Sequence, residues 1–223
     1  MLSKRLEFGS LLAYCPRPDD VTESLRTEAR QSHNLGLSLK SGRAIGDPPL
    51  TVAARVVAHL KSIRGPPHPL AGFFSPSATL VPVPKSTLLT KGALWVPDQL
   101  SHELVRGGLG KVVAPLLERT EPIPKAATSV STERPTAQRN YETLRVRKSL
   151  ESASELILVD DVVTAGATLL GSASRLASEF PDIPIKGFAA ARTISVVVRF
   201  RTTVEPVVGM IVLRPDGRTQ RDP

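Results

Sequence analysis

The sequence predicts an α/β protein built on an open parallel sheet with helices packed on its faces. Three observations predict it. Residues 156–159, LILV, are an apolar run with no polar face, the pattern of a central strand covered on both sides. Small and hydroxyl residues follow at 164–168, and Leu169, Leu170, Ala173, Leu176, Ala177 and Phe180 then recur at helical spacing, so this stretch reads strand, loop, helix. A second short apolar run, residues 78–83, carries Pro82 and Pro84 only where a ladder is already finishing. The 223 residues, 41% of them hydrophobic, are enough for one substantial core.

From the N-terminus, MLSKRLEFGSLLAYCPRP has charges interrupting short apolar pieces, which is not the continuous segment of a signal peptide. No later run approaches membrane-spanning length, so a soluble, cytoplasmic protein with no membrane partner is expected. Residues 50–63 place Ala53, Val56, Val57, Leu60 and Ile63 on one face of a helix behind Pro48 and Pro49. The strand at 78–83 then puts Lys85 on a loop at its carboxyl end. VPDQLSHELVRGG reads as a helix with Pro97 in its first turn and Gly107-Gly108 at its end, while Pro115 leaves the type of LGKVVAPLLERT open. Trp95, near the helix start, is read as a packing anchor.

Residues 119–150 are polar and rich in Pro, Ser, Thr and Arg, as in a mobile functional loop or a linker. Beyond the strand-loop-helix stretch, residues 185–192, 194–200 and 207–213 read as further strands, and the polar tail RPDGRTQRDP as frayed. Lys and Arg number 29 against 21 Asp and Glu, a net charge of +8 that favours polyanionic partners such as nucleic acid or phosphorylated metabolites. Cys15 is the only cysteine, which excludes an internal disulfide and a multi-thiolate zinc site; His33, His59, His68 and His102 show no ligand spacing.

The chemistry gathers at Asp160 and Asp161, the acid pair that follows the apolar run. In an open parallel sheet ligands bind beyond the carboxyl ends of the strands. The loop after the pair leads into a helix N-terminus, whose free amides and dipole attract phosphate. Gly166, with Ala165 and Ala167, allows close backbone approach, and Thr164 and Thr168 add hydroxyl donors. Carboxylates accept hydrogen bonds from sugar hydroxyls, so acids at one end and an amide cradle at the other suit a phosphorylated sugar.

The stretch ELILVDDVVTAGATLL resembles the phosphoribosyl-diphosphate motif of type I phosphoribosyltransferases, with Ala165 standing where Thr is commonest. The wider chain, from about residue 38 to 194, resembles the ComF-like branch of that family: TLVPVPKS is similar to its strand ending in Pro-Val-Pro, KGALWVPDQLSHELV to its basic-Gly pair and helix, and GFAAARTI to its strand ending in Ala-Arg. It departs from that branch in lacking an N-terminal cysteine-rich element, and RPTAQRNYETLRV matches only loosely.

The resemblance implies a type I phosphoribosyltransferase-like sheet with a small N-terminal hood-like element at residues 1–75, a core at 76–223 in one compact unit, and a long flexible loop at 119–150. It implies that Asp160 and Asp161 hold the ribose hydroxyls of 5-phosphoribosyl 1-diphosphate and that Val163, Thr164, Ala165, Gly166, Ala167 and Thr168 hold its 5-phosphate. Lys85 and Ser86, with Lys91 as a further candidate, would meet the pyrophosphate; Arg134 and Arg139 would reach it from the loop. Mg2+ would come with the diphosphate, touching Asp160 and Asp161. The implied reaction transfers the phosphoribosyl group to a nucleobase-like nitrogen acceptor in a homodimeric enzyme. The ComF-like likeness also implies an alternative, an accessory protein for DNA uptake that keeps the same site.

Overall fold

The apolar run at 156–159 opens an eight-residue strand whose alternate side chains enter two different cores. The computed structural model describes residues 1–63, 65–124, 135–147 and 153–222. In chain order its elements begin with β1 (Arg5–Tyr14), α1 (Arg26–Ser41), the short pair β2 (Ala44–Ile45) and β3 (Leu50–Thr51), and α2 (Val52–Ser62). Next come β4 (Thr79–Pro82), α3 (Val96–Arg106), β5 (Val112–Val113), β6 (Leu117–Arg119), α4 (Ala137–Glu142) and β7 (Leu144–Val146). β8 (Leu156–Val163), α5 (Ala167–Glu179), β9 (Ile185–Thr193), β10 (Val204–Leu213) and β11 (Thr219–Asp222) follow.

Seven strands form one sheet in the order β11-β10-β1-β9-β8-β4-β5. Every neighbouring pair from β1 to β5 is parallel, and β10 and β11 extend the β1 edge antiparallel. The fold is therefore α/β, with helices on both faces of a mostly parallel sheet. Ile157 and Val159 of β8 join Leu80, Phe188 and the α2–α3 residues Val56 and Leu100 in one core. Leu156 and Leu158 join Val81, Ala189, Leu169 and Leu176 of α5 in the other. Truncating Leu158, which is fully buried, to Ala removes about 2–5 kcal/mol.

The helix expected at 50–63 is α2, started by Thr51, whose hydroxyl accepts from the Ala54 amide at 3.1 Å. The helix around Pro97 is α3. Pro115 separates two short strands, β5 and β6, because its missing N–H cannot carry a ladder across.

Four readings are corrected, and one helix that no apolar period announces is added. Residues 5–14 form a central strand between β10 and β9, so they belong to the sheet and not to an element apart from a core starting at residue 76. Residues 26–41 are helical without an apolar stripe: the buried positions are Ala29, Ser32, Gly36 and Leu39, and a Cβ on Gly36 would lie within 2.6 Å of the Tyr14 ring. Residues 194–200 are no strand; Ile194, Val197 and Phe200 recur every third position and plug a small third core with Cys15, Val21 and Ala29 through a 3₁₀ turn. The tail is not frayed, since residues 219–222 pair with β10. Finally, the described parts of segment 119–150 are not loop: β6 pairs antiparallel with β7, α4 packs against α5, and Arg119, Ala137, Asn140 and Thr143 are buried, while residues 125–134 and 148–150 of the expected flexible loop lie outside the described residues.

Candidate functional site

The chain leaves β4 through α3 to β5 on one side of the sheet order, and leaves β8 through α5 to β9 on the other. That divergence opens a crevice at the carboxyl ends of β4 and β8. A cleft of ≈310 Å³ lies there, and it brings together Lys85 and Ser86 after β4 with Asp160, Asp161, Thr164 and Thr168 at the end of β8 and the start of α5. Val83 and Val163, far apart in sequence, thus share one wall system; Gly166 and Ala167 line it too.

The acids stand within β8 rather than after it, with Asp160 opposite Ala189 and Val162 opposite Ala191 in the ladder. Asp160 Oδ1 accepts from the Asp161 amide at 2.9 Å and Asp161 Oδ1 from the Val162 amide at 2.7 Å. One oxygen of each carboxylate is thereby anchored to the backbone, and the Asp160 and Asp161 carboxyl groups also interact with each other. Burial, then the neighbouring Asp161 charge, push the Asp160 carboxyl well above the usual carboxylate range.

Thr164, Ala165 and Gly166 turn the chain into α5. No side chain caps this helix and its first turn holds no acid, so its leading amides are available to an anion. Gly166 has φ 88°, and a Cβ there would lie 2.6 Å from Ile211 Cδ1. Its glycine character is thus required by a left-handed backbone and by a core neighbour, where the sequence reading had invoked phosphate approach. Ala165 is exposed and is not on the cleft wall.

Two cationic side chains that sequence reasoning missed bear on the cleft. Lys40, in the last turn of α1, lines it, with its ammonium 4.7 Å from the Tyr14 ring centroid. Arg221, on β11, donates from Nε to the Thr164 carbonyl at 2.9 Å and from Nη2 to the Thr193 carbonyl at 2.7 Å. Desolvation and the adjacent Arg192 guanidinium lower its pKa to about 10. Arg192 itself pairs with Glu205 at 2.5 Å. Neither Lys40 nor Arg221 carried a sequence signal, because α1 lacks an apolar stripe and a polar tail gives no pattern that places one arginine beneath a loop 57 residues away.

Lys85 donates to the Leu94 carbonyl at 3.0 Å. Its own carbonyl accepts from buried Arg119 Nε at 2.9 Å, and the Ser86 carbonyl accepts from the Ile123 amide at 2.8 Å, so the strip 117–123 braces the Lys85–Ser86 loop. Arg139 is ion-paired to Glu121 at 3.2 Å and is not on the cleft wall. Lys91 lines a separate hollow with Asp98, and Arg134 lies outside the described residues. The Trp95 indole donates to the Val83 carbonyl at 2.8 Å, an anchoring role for its polar atom. Among the described residues no three His, Cys, Asp or Glu side chains gather as a metal site, and no helix is long and apolar enough to cross a membrane.

No family model matches the chain, and no curated protein matches it. Among solved structures it is similar to a hypoxanthine phosphoribosyltransferase from Staphylococcus aureus, at 10% identity over 69% of each chain and a TM-score of 0.28. It is also similar to the hypoxanthine phosphoribosyltransferase of Trypanosoma cruzi, at 12% identity over 82% of this chain and 91% of that one with a TM-score of 0.29. The third is an adenine phosphoribosyltransferase from Leishmania donovani, at 15% identity over 77% and 86% and a TM-score of 0.29.

Proposed function

We propose that this protein binds 5-phosphoribosyl 1-diphosphate in the cleft between β4 and β8 and transfers its phosphoribosyl group to a nucleobase-like nitrogen acceptor, releasing pyrophosphate. One observation carries the proposal: an acid pair and an uncapped helix N-terminus share a single cleft with Lys85 and Ser86. That polarity matches a ligand with phosphate at one end, hydroxyls in the middle and a diphosphate at the other.

The α5 amides, with Thr164 and Thr168, hold the 5-phosphate. The carboxyl groups of Asp160 and Asp161 accept from the ribose hydroxyls and orient the anomeric carbon. Lys85 and the Ser86 hydroxyl face the diphosphate and stabilise the charge that grows on it as the C1–O bond breaks. The acceptor nitrogen forms the new C–N bond from the opposite face and gives its proton to solvent. Lys40, Leu94, Val96 and Pro97 on the remaining wall offer a cation and apolar surface to a planar ring. The two carboxylates suit Mg2+ but are too few to build a resident site, so the ion would arrive on the diphosphate, where it supplies charge neutralisation for the leaving group.

Calorimetric titration of phosphoribosyl diphosphate with magnesium tests the reading. Saturable binding to the parent, lost in folded Asp160→Asn/Asp161→Asn, is expected, followed by pyrophosphate release with some member of a nucleobase panel. Equal affinity in parent and double variant would refute the assignment of the acid pair.

A further inference from the structure

A second cavity, of ≈490 Å³, shares only Pro84 and Lys85 with the cleft. Its remaining walls come from the loop after β4 and from β6 and β7, and its volume is in the range of small-molecule sites. Among the described residues four cations line it, Lys85, Arg119, Arg145 and Arg147, against one carboxylate, Glu118. A single Glu118 oxygen is shared by Arg145 at 2.8 Å and Arg147 at 3.2 Å. Arg119 is buried and, among the described residues, bonds neutral acceptors only: the Lys85 carbonyl, the Thr143 hydroxyl and the Asn140 amide oxygen. A buried guanidinium without a counter-ion is costly, and an anion in the cavity would supply one. The loop side is apolar and aromatic: Leu88 and Leu89 are about half exposed, at 49% and 53%, and Trp95 has its one polar atom already bonded.

We propose that this cavity is a second ligand site, for a planar aromatic small molecule carrying a carboxylate or phosphate. The ring packs on Leu88, Leu89 and Trp95; the anion meets Arg119, Arg145 and Arg147. Because Arg119 and the Ile123 amide hold the carbonyls of Lys85 and Ser86, occupancy stiffens the loop that also walls the first cleft. The site stands whether or not the first cleft takes phosphoribosyl diphosphate.

Trp95 is the only tryptophan in the chain, so its emission reports occupancy directly. Benzoate and phenyl phosphate, titrated separately, distinguish the two anion types; benzyl alcohol and inorganic phosphate control for ring and charge alone. At least one aromatic anion should change the emission saturably, and both controls should bind more weakly. Glu118→Gln, which frees two guanidiniums, should tighten that binding about threefold, and Arg145→Gln/Arg147→Gln should weaken it about tenfold. These two arginines are 64% and 57% exposed, so the core is untouched by the change. Lys91→Gln, in the other hollow beside Trp95, should leave the titration unchanged. No saturable response to either aromatic anion at millimolar concentration, or identical titrations for the parent and both charge variants, would overturn the proposal.

Discussion

Asp160 is held in a place that disfavours its charge, and stability should record this. With its folded pKa raised, the native state binds more protons than the unfolded chain between the ordinary and the raised value, so stability falls as pH climbs through that window and stays reduced above it. Asp160→Asn removes the ionisation and should therefore raise Tm at pH 7 relative to the parent, with the advantage vanishing below the ordinary carboxylate pKa; thermal melts at several pH values check it. Gly166 behaves differently. Its φ of 88° and its Ile211 contact make Gly166→Ala destabilising by about 1–3 kcal/mol even without ligand. Adding Ile211→Ala should remove the steric part of the coupling while leaving the backbone strain, which a double-mutant cycle by urea melts can resolve.

At the scale of elements, β11 links the far end of the described chain to the candidate phosphate loop. Arg221 bonds two carbonyls, Thr164 and Thr193, that lie at the carboxyl ends of adjacent strands β8 and β9. Arg221→Met strands both acceptors and should cost about 2–4 kcal/mol. Removing everything after Arg214 should cost at least as much, since the β10 edge is also unpaired. If the loop is the phosphate cradle, both changes also weaken phosphoribosyl-diphosphate binding, measured by the same titration. The tail reads as frayed in sequence because a four-residue strand of polar residues has no apolar period; its stability comes from pairing with β10 and from one arginine. In the same way, β6, α4 and β7 were hidden in a polar stretch because Arg119, Asn140 and Thr143 satisfy one another in the interior, and polar residues buried by mutual hydrogen bonding read as surface in a sequence.

For the whole molecule, the placement of β1 makes a sharp prediction. It fills the slot between β10 and β9, and its Phe8, Leu11 and Leu12 enter both main cores. A fragment of residues 76–223 loses that strand and exposes two unpaired edges, so it should show no cooperative urea transition by circular dichroism, whereas the full chain should. What the sequence by itself determined was local and periodic: the buried run at 156–159, the helical faces of α2, α3 and α5, and the strand-acid-loop-helix order that placed Asp160, Asp161, Thr164 and Thr168. Those features are legible because a fully covered strand and an amphipathic helix write their surroundings into consecutive residues. Lys85 and Ser86, after β4, were named through the family resemblance, and the tertiary structure alone added Lys40, from a helix packed by small residues, on the cleft wall and Arg221, from β11, against the Thr164 carbonyl. Strand order has no local signature, since parallel pairing is chosen by long-range burial and crossover geometry, and it is strand order that opens the crevice between β4 and β8.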